Sequence, residues 1–295
     1  MLFGSKEWQQ WALEEDEALP LIEHAYKSGI KTFDTADTYS HSVSEEIVGK
    51  ALKKYSIPRH RVFIITKCYF GVDDVGEMPP ILSCGRNNGS WVNRVGLSRK
   101  HIFDAVDASI ERLGTYIDVL QIHRLDRETP EFQSLQNIAV RHGWHWFISM
   151  QNYHKLISRE EEREMIPYWL DAGIGLIPWS PQARGILTRP WDSRPSVPES
   201  TDPGIKVLVR GEEVETEKTI VNRVEEVAKN KGISMAQVAI AWVLSHPKEN
   251  PILGLSSKRR IDEAISTLHI QLTSEEIRYL EEPHEVDCPK GPYCT

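Results

Sequence analysis

Asp34, Tyr39, Lys67 and His123 are the residue types that protonation of a carbonyl oxygen calls for. A tyrosine alone is a poor acid near neutral pH, because its reference pKa is about 10. An ammonium beside it favours the phenolate and lowers that value, and a carboxylate beside the lysine keeps the lysine charged and aimed. Tyr39, Lys67 and Asp34 supply those groups, with Asp37 close behind them in sequence. A histidine across the site can hydrogen-bond the oxygen that the tyrosine protonates, which suits a carbonyl becoming an alcohol, and His123 fits that role. There is no nucleophile paired to a base and no cluster with metal-ligand spacing, so no metal is expected and the missing reagent, a hydride, has to come from a cofactor. Taken singly, each residue has a plainer explanation. The Asp-Thr-Ala-Asp run from Asp34 is also turn chemistry, a lone histidine is usually a bonded core residue, and a lysine at a strand end is usually solvated. Their joint placement is what counts.

That placement depends on the elements around them. Apolar periodicity predicts strands over 31–34, 62–66, 117–122, 147–150, 175–178 and 251–255. Helices are expected over 16–28, 43–55, 98–113, 133–142, 160–172, 216–230, 234–245, 258–268 and 274–280. The stretches 69–96 and 191–214, rich in Gly and Pro, are expected as loops. Short apolar strands that alternate with helices call for a parallel sheet with helices outside, either an eight-stranded barrel or an open doubly wound sheet. The open sheet should carry G-x-G-x-x-G after its first strand, and the sequence has none. In a barrel the chemistry sits at the C-terminal ends of several strands. Asp34, Asp37, Tyr39, Lys67, His123, Gln151, Asn152, Ser180 and Ser256 all follow predicted strands closely.

The bulk numbers narrow the class. The chain has 295 residues, 40% hydrophobic and 26% charged, with a net charge of −8. No linker or composition break divides it, so a single domain over 1–295 is expected. The acidic balance argues against a nucleic-acid or polyanion partner, so any anion site is local. Cys68, Cys84, Cys288 and Cys294 show neither disulfide nor zinc spacing, which makes a reduced, cytoplasmic setting the expectation. No stretch approaches the roughly 20 apolar residues of a membrane span, and the first residues lack a signal peptide's pattern. Asn88-Gly89-Ser90 matches a glycosylation sequon and is expected to be a loop turn. His142 and His145, at a helix exit, are not expected to bind metal.

Six segments in order, "FDTADTYSHSVSEEIVGKAL", "VFIITK", "GLSRKHIFDAVDASIERLGTYIDVLQIHRLD", "FISMQNYHKL", "GIGLIPWSPQARGILTRPW" and "ILGLSSKRRIDEAI", resemble the successive motifs of the aldo-keto reductases. The likeness is greatest to their fungal aryl-alcohol dehydrogenase-like and versiconal hemiacetal acetate reductase-like branch. It implies a (β/α)8 TIM barrel and NADPH-dependent reduction of an aldehyde or ketone, plausibly aromatic or polyketide-derived, in secondary metabolism. Asp34, Tyr39, Lys67 and His123 fall on the four positions of the family's catalytic tetrad, with Tyr39 as proton donor. The resemblance further implies that Asp34 also borders the cofactor, that Gln151 holds the nicotinamide carboxamide and that Trp179 stacks on its ring. Ser180, Pro181, Gln182, Ala183, Arg184 and Gly185 would line the pyrophosphate, while Gly254, Leu255, Ser256, Lys258 and Arg260 would grip the adenosine end. Residues 256–260 open a helix just after a strand, a place that favours an anion such as a 2′-phosphate. Ala264 stands where the family usually has asparagine.

The strand count falls short of the resemblance. Six strands are found where the barrel needs eight. The family's first strand is reduced to "MLFG", and between His123 and Phe147 the sequence has room for one helix where the family places helix, strand and helix. The join falls at 129–132. A barrel lacking its first strand and one interior strand–helix unit is therefore expected. The rival reading is a non-catalytic cofactor-binding or interaction subunit of the same fold.

Overall fold

The computed structural model describes residues 1–73, 84–85, 89–126, 132–193 and 214–284. The sequon asparagine Asn88, the join at 129–131 and the cysteines Cys288 and Cys294 lie outside the described residues, as does most of the 191–214 loop. The chain divides into two compact units, one formed by Met1–Trp146 with Leu255–Ile261, the other by Phe147–Gly254 with Asp262–Thr295.

The first unit holds α1 (Glu15–Lys27), β1 (Thr32–Asp34), α2 (Val43–Lys54), β2 (Phe63–Cys68), α3 (Arg99–Leu113), β3 (Val119–Ile122) and α4 (Phe132–His142). Its strands form a parallel sheet in the order β1-β2-β3, with Asp34 opposite Ile65 and Lys67 opposite Gln121. Helix boundaries follow from side chains. Ser98 Oγ accepts the His101 N–H at 3.2 Å to open α3, and Gly114, at φ 65°, closes it in a conformation that other residues adopt at a cost. The apolar faces of α1 and α2 bury Ile22, Ile47, Val48 and Ala51 against Phe33, Ile64 and Leu113. At Gly49 the two backbones nearly touch, since a Cβ there would lie 2.6 Å from the Arg112 carbonyl oxygen.

In the second unit are β4 (Ser149–Met150), α5 (Met165–Asp171), β5 (Gly175–Leu176), α6 (Val214–Lys231), α7 (Met235–Leu244) and α9 (Ser274–Glu281), together with most of α8 (Lys258–Ser266). β4 and β5 pair in parallel. Ser234 and Gln237 close a capping box at the start of α7, a helix apolar all round that is buried accordingly, and its Trp242 and Val243 pack with Val221 and Val224 of α6. None of the described helices is long and apolar enough to cross a membrane.

Two expected elements differ. The helix expected over 160–172 is a 3-10 turn, Glu160–Arg163, followed by α5. Pro167 favours the break: its ring crowds the carbonyl of Arg163 four residues back and it has no N–H to donate to it, and in α5 it stands in the first turn. The strand expected over 251–255 reduces to one bridge, Trp179 to Ile252, because Pro251 has no N–H to donate to a ladder. The segment "MLFG" forms one parallel bridge, Phe3 to Leu13.

Candidate active site

All four tetrad positions lie in the first unit, at the C-terminal ends of its three strands. Asp34 ends β1, Lys67 is the penultimate residue of β2, and His123 follows β3, with its N–H donated to the Cys68 carbonyl at 3.0 Å. Parallel pairing in register brings their side chains to one edge of the sheet. The Lys67 ammonium is 2% exposed and donates to both carboxylate oxygens of Asp34, at 2.8 and 2.7 Å, and to the Thr35 carbonyl at 2.8 Å. It stands 4.7 Å from the centre of the Tyr39 ring. The Tyr39 and His123 rings meet edge to face at 5.5 Å, and Phe70 meets His123 likewise at 5.1 Å.

Tyr39 is fixed by an unusual backbone. The next three residues, Ser40, His41 and Ser42, have φ of 51°, 44° and 79°, a left-handed run that costs of order 1–3 kcal/mol per residue and persists only where surroundings enforce it. Ser40 Oγ accepts the Ser5 N–H at 3.0 Å, and Nδ1 of His41 accepts the Asp73 N–H at 2.9 Å. Behind the site, Glu45 is fully buried, accepting from Thr66 Oγ1 at 2.5 Å and from Arg112 Nε at 2.7 Å.

Electrostatics correct one expectation. Burial pushes the Tyr39 phenol above its ordinary value; Lys67 pulls the other way without cancelling it, and Asp34 adds to the rise. The phenol is therefore a guarded proton store and not an acidified one. Burial opposes charge on Lys67, yet Tyr39 and Asp34 hold its pKa above the usual range. His123 is pushed well below its ordinary value by burial and then by the Lys67 and Arg124 charges, so near pH 7 it is a neutral imidazole. Burial carries the Cys68 thiol up to about 12, which leaves no thiolate to act as a nucleophile.

The cofactor positions of the second unit form two local features. Gln151 and Asn152 follow β4, and the Asn152 carbonyl accepts the Trp179 N–H at 3.0 Å. The Trp179 ring lies 4.2 Å from Tyr153, giving an aromatic wall of the kind a flat heterocycle stacks on. After Pro181, Gln182 is right-handed and Ala183, Arg184 and Gly185 follow with φ of 49°, 54° and 100°. Within this turn the Ala183 N–H donates to the Ser180 carbonyl at 2.8 Å and the Gly185 N–H to the Gln182 carbonyl at 2.9 Å. Gly254 is exposed at the end of this unit's chain segment. Leu255, Ser256, Lys258 and Arg260 group with the first unit, where Arg260 Nη1 donates to Ser256 Oγ at 2.6 Å and Lys258, Arg259 and Arg260 are exposed. Ala264 is buried at 7% exposure. Taken unit by unit, the aromatic wall of the second has the chemistry for a flat ring and the exposed bases of the first have the chemistry for a phosphate. Thr35, Glu45 and Tyr153 lie inside the quoted motifs without a role that their residue types announce, and Phe70 lies outside them; only its closeness to a predicted strand end could have singled it out.

The profile of the Aldo/keto reductase family matches residues 1–139 and 131–285. Versiconal hemiacetal acetate reductase of Aspergillus parasiticus is 64% identical over 313 residues, covering 96% of this chain and 91% of the relative. A Schizosaccharomyces pombe protein bearing an aryl-alcohol dehydrogenase name is 45% identical over 325 residues, covering 98% and 91%. Aldo-keto reductase AFTS1 of Alternaria alternata is 39% identical over 327 residues, covering 99% and 88%. The 313 positions of the first alignment span only 96% of a 295-residue chain, so about 30 of them face gaps here; the profile's two matches meet at 131–139, beside the join predicted from the sequence. With a tetrad at the strand ends and a family profile matched along nearly its whole length, the chain belongs to the aldo/keto reductases, oxidoreductases that fold as (β/α)8 barrels and use a nicotinamide cofactor.

Proposed function

We propose that the chain reduces an aldehyde or ketone to an alcohol with NADPH, the carbonyl being aromatic or polyketide-derived. The clustering of Asp34, Tyr39, Lys67 and His123 around one buried ammonium carries this reading. Bound NADPH supplies a hydride to the carbonyl carbon. Tyr39 then protonates the carbonyl oxygen, and the phenolate it leaves is stabilised by Lys67, which Asp34 holds in place. His123, uncharged, can donate a hydrogen bond to the same oxygen and orient it without competing as an acid. Gln151 and Trp179 are assigned to the nicotinamide, Ser180 to Gly185 to the pyrophosphate, and Gly254, Leu255, Ser256, Lys258 and Arg260 to the adenosine end. The exposed bases Lys258, Arg259 and Arg260 at the start of α8 favour a 2′-phosphate and hence NADPH over NADH. The relatives' names, for versiconal hemiacetal acetate and aryl-alcohol substrates, support the substrate class.

The test is a side-by-side titration of the purified chain with NADPH and NADH, followed by tryptophan fluorescence, and then turnover of a panel of aromatic aldehydes. Tighter NADPH binding with turnover is expected. The alignment gaps favour a second reading, a cofactor-binding subunit without catalysis. Binding without turnover would select it, and no binding of either nucleotide by a folded chain would sink both.

A further inference from the structure

Away from the tetrad, the second unit assembles a ligand set that no spacing in the sequence announces. His154 follows β4 and is fully buried, Glu162 lies in the 3-10 turn before α5, and His246 follows α7. One ligand atom from each falls within 4.8 Å of the others. Nε2 of His154 is 2.8 Å from Glu162 Oε1, and the two imidazoles stand edge to face at 5.1 Å. Each histidine has its other nitrogen already anchored: His154 Nδ1 lies 2.8 Å from Glu249 Oε1, and His246 Nδ1 lies 2.8 Å from the Trp242 carbonyl oxygen. Metal-binding histidines are oriented in this way, by a carboxylate or a backbone carbonyl on the far nitrogen. Arg159 grips both Glu162 oxygens at 2.8 Å, and Glu281, which accepts from Trp242 Nε1 at 2.9 Å, places Oε1 3.8 Å from His246 Nε2.

We propose that His154 Nε2, His246 Nε2 and Glu162 bind one divalent transition-metal ion of the zinc class, with water or Glu281 in the fourth position. Two imidazoles and a carboxylate suit that class, at bond lengths of about 2.0–2.2 Å that small rotations of Glu162 and His246 can reach. Binding of the ion takes the place of the His154 Nε2–Glu162 Oε1 hydrogen bond, so that both atoms turn to the metal. The bound ion ties the segment after β4 to the end of α7, a structural clamp independent of the reductase reading.

The test uses the full chain after chelation and dialysis, titrated with zinc by calorimetry and with cobalt(II) by its visible absorption. One equivalent is expected to bind, with an increase in the thermal unfolding midpoint. His246→Ala and Glu162→Gln alter side chains only 23% and 30% exposed yet outside the fully buried set, and should each weaken binding at least about tenfold while circular dichroism is unchanged. Glu249→Gln, which touches no metal, should weaken it by about 10–100-fold. No saturable binding by the folded chain would overturn the site. So would full binding in both His246→Ala and Glu162→Gln, or a cobalt spectrum dominated by thiolate charge transfer, which would place the ion at cysteines.

Discussion

Tyr39 keeps its proton because burial outweighs the ammonium beside it, and that balance sets what its loss would do. Tyr39→Phe should lower kcat for aldehyde reduction by about 10²–10⁴-fold while NADPH still quenches tryptophan fluorescence; an unchanged kcat would remove Tyr39 from the chemistry. Asp37 poses a different question. It is 1% exposed, and burial and then the nearby Glu45 carboxylate push its pKa well above the usual range, with Arg112 and Lys67 opposing. Below about pH 3.9, the unfolded value, both states hold the proton; above it the unfolded chain ionises and the folded chain does not, so stability falls as pH rises toward the folded value. Asp37→Asn, which mimics the protonated carboxyl, should therefore raise the unfolding midpoint, by an amount that grows as the pH rises above about 4. A gain that is flat across that range would mean the carboxyl is ionised when folded. Residue types and strand ends made Asp34, Tyr39, Lys67 and His123 legible in the sequence. Glu45 with Arg112, and His154 with Glu249, were not legible, since their partners are distant in the chain and follow no period.

At the scale of elements, period and caps carried most of the information. Ser98 and Gly114 bound α3 as side-chain chemistry dictates, and the strands carrying Asp34, Lys67 and His123 stand where apolar alternation put them. What failed did so at proline: Pro167 splits the acidic helix, and Pro251 starves the last strand of a donor. Tertiary approach is the other illegible quantity. Nothing in "EEIVGKAL" says that a Cβ at Gly49 would stand only 2.6 and 2.7 Å from the carbonyl oxygens of Arg112 and Leu113. Gly49→Ala should lower stability by about 1–3 kcal/mol in urea unfolding, although alanine is the better helix former. A stabilised variant would show that α2 and α3 are not in close contact.

For the whole molecule, the family's barrel and the described strands differ in number. Among the described residues, β3 pairs with β2 alone, and Phe103, Tyr116 and Leu120 of the same unit are 55%, 54% and 40% exposed. An edge strand beside apolar surface is where chains tend to associate. Grafting into the join at 129–132 a segment of about 30 residues, the total of the gap positions in the first alignment, should raise the unfolding midpoint and reduce concentration-dependent light scattering. If neither changes, the shorter chain is complete in itself. Sequencing the transcript across those codons asks the same question of the gene. The shortfall of strands against the family's barrel was legible in the sequence as a count, whereas the pairing of β3 with β2 could be seen only in the structure.

Among the described residues β2 is hydrogen-bonded on both edges, while β3 has a strand partner on one. In hydrogen-exchange language, the amides around Lys67 open only with the whole unit, and those leading to His123 open by local excursions that need far less free energy. Heat should then disorder the histidine side of the site while the lysine side is still folded. Reductase activity is expected to decay at a temperature below the unfolding midpoint, and coincident loss of activity and far-ultraviolet signal would show that the two strands melt as one.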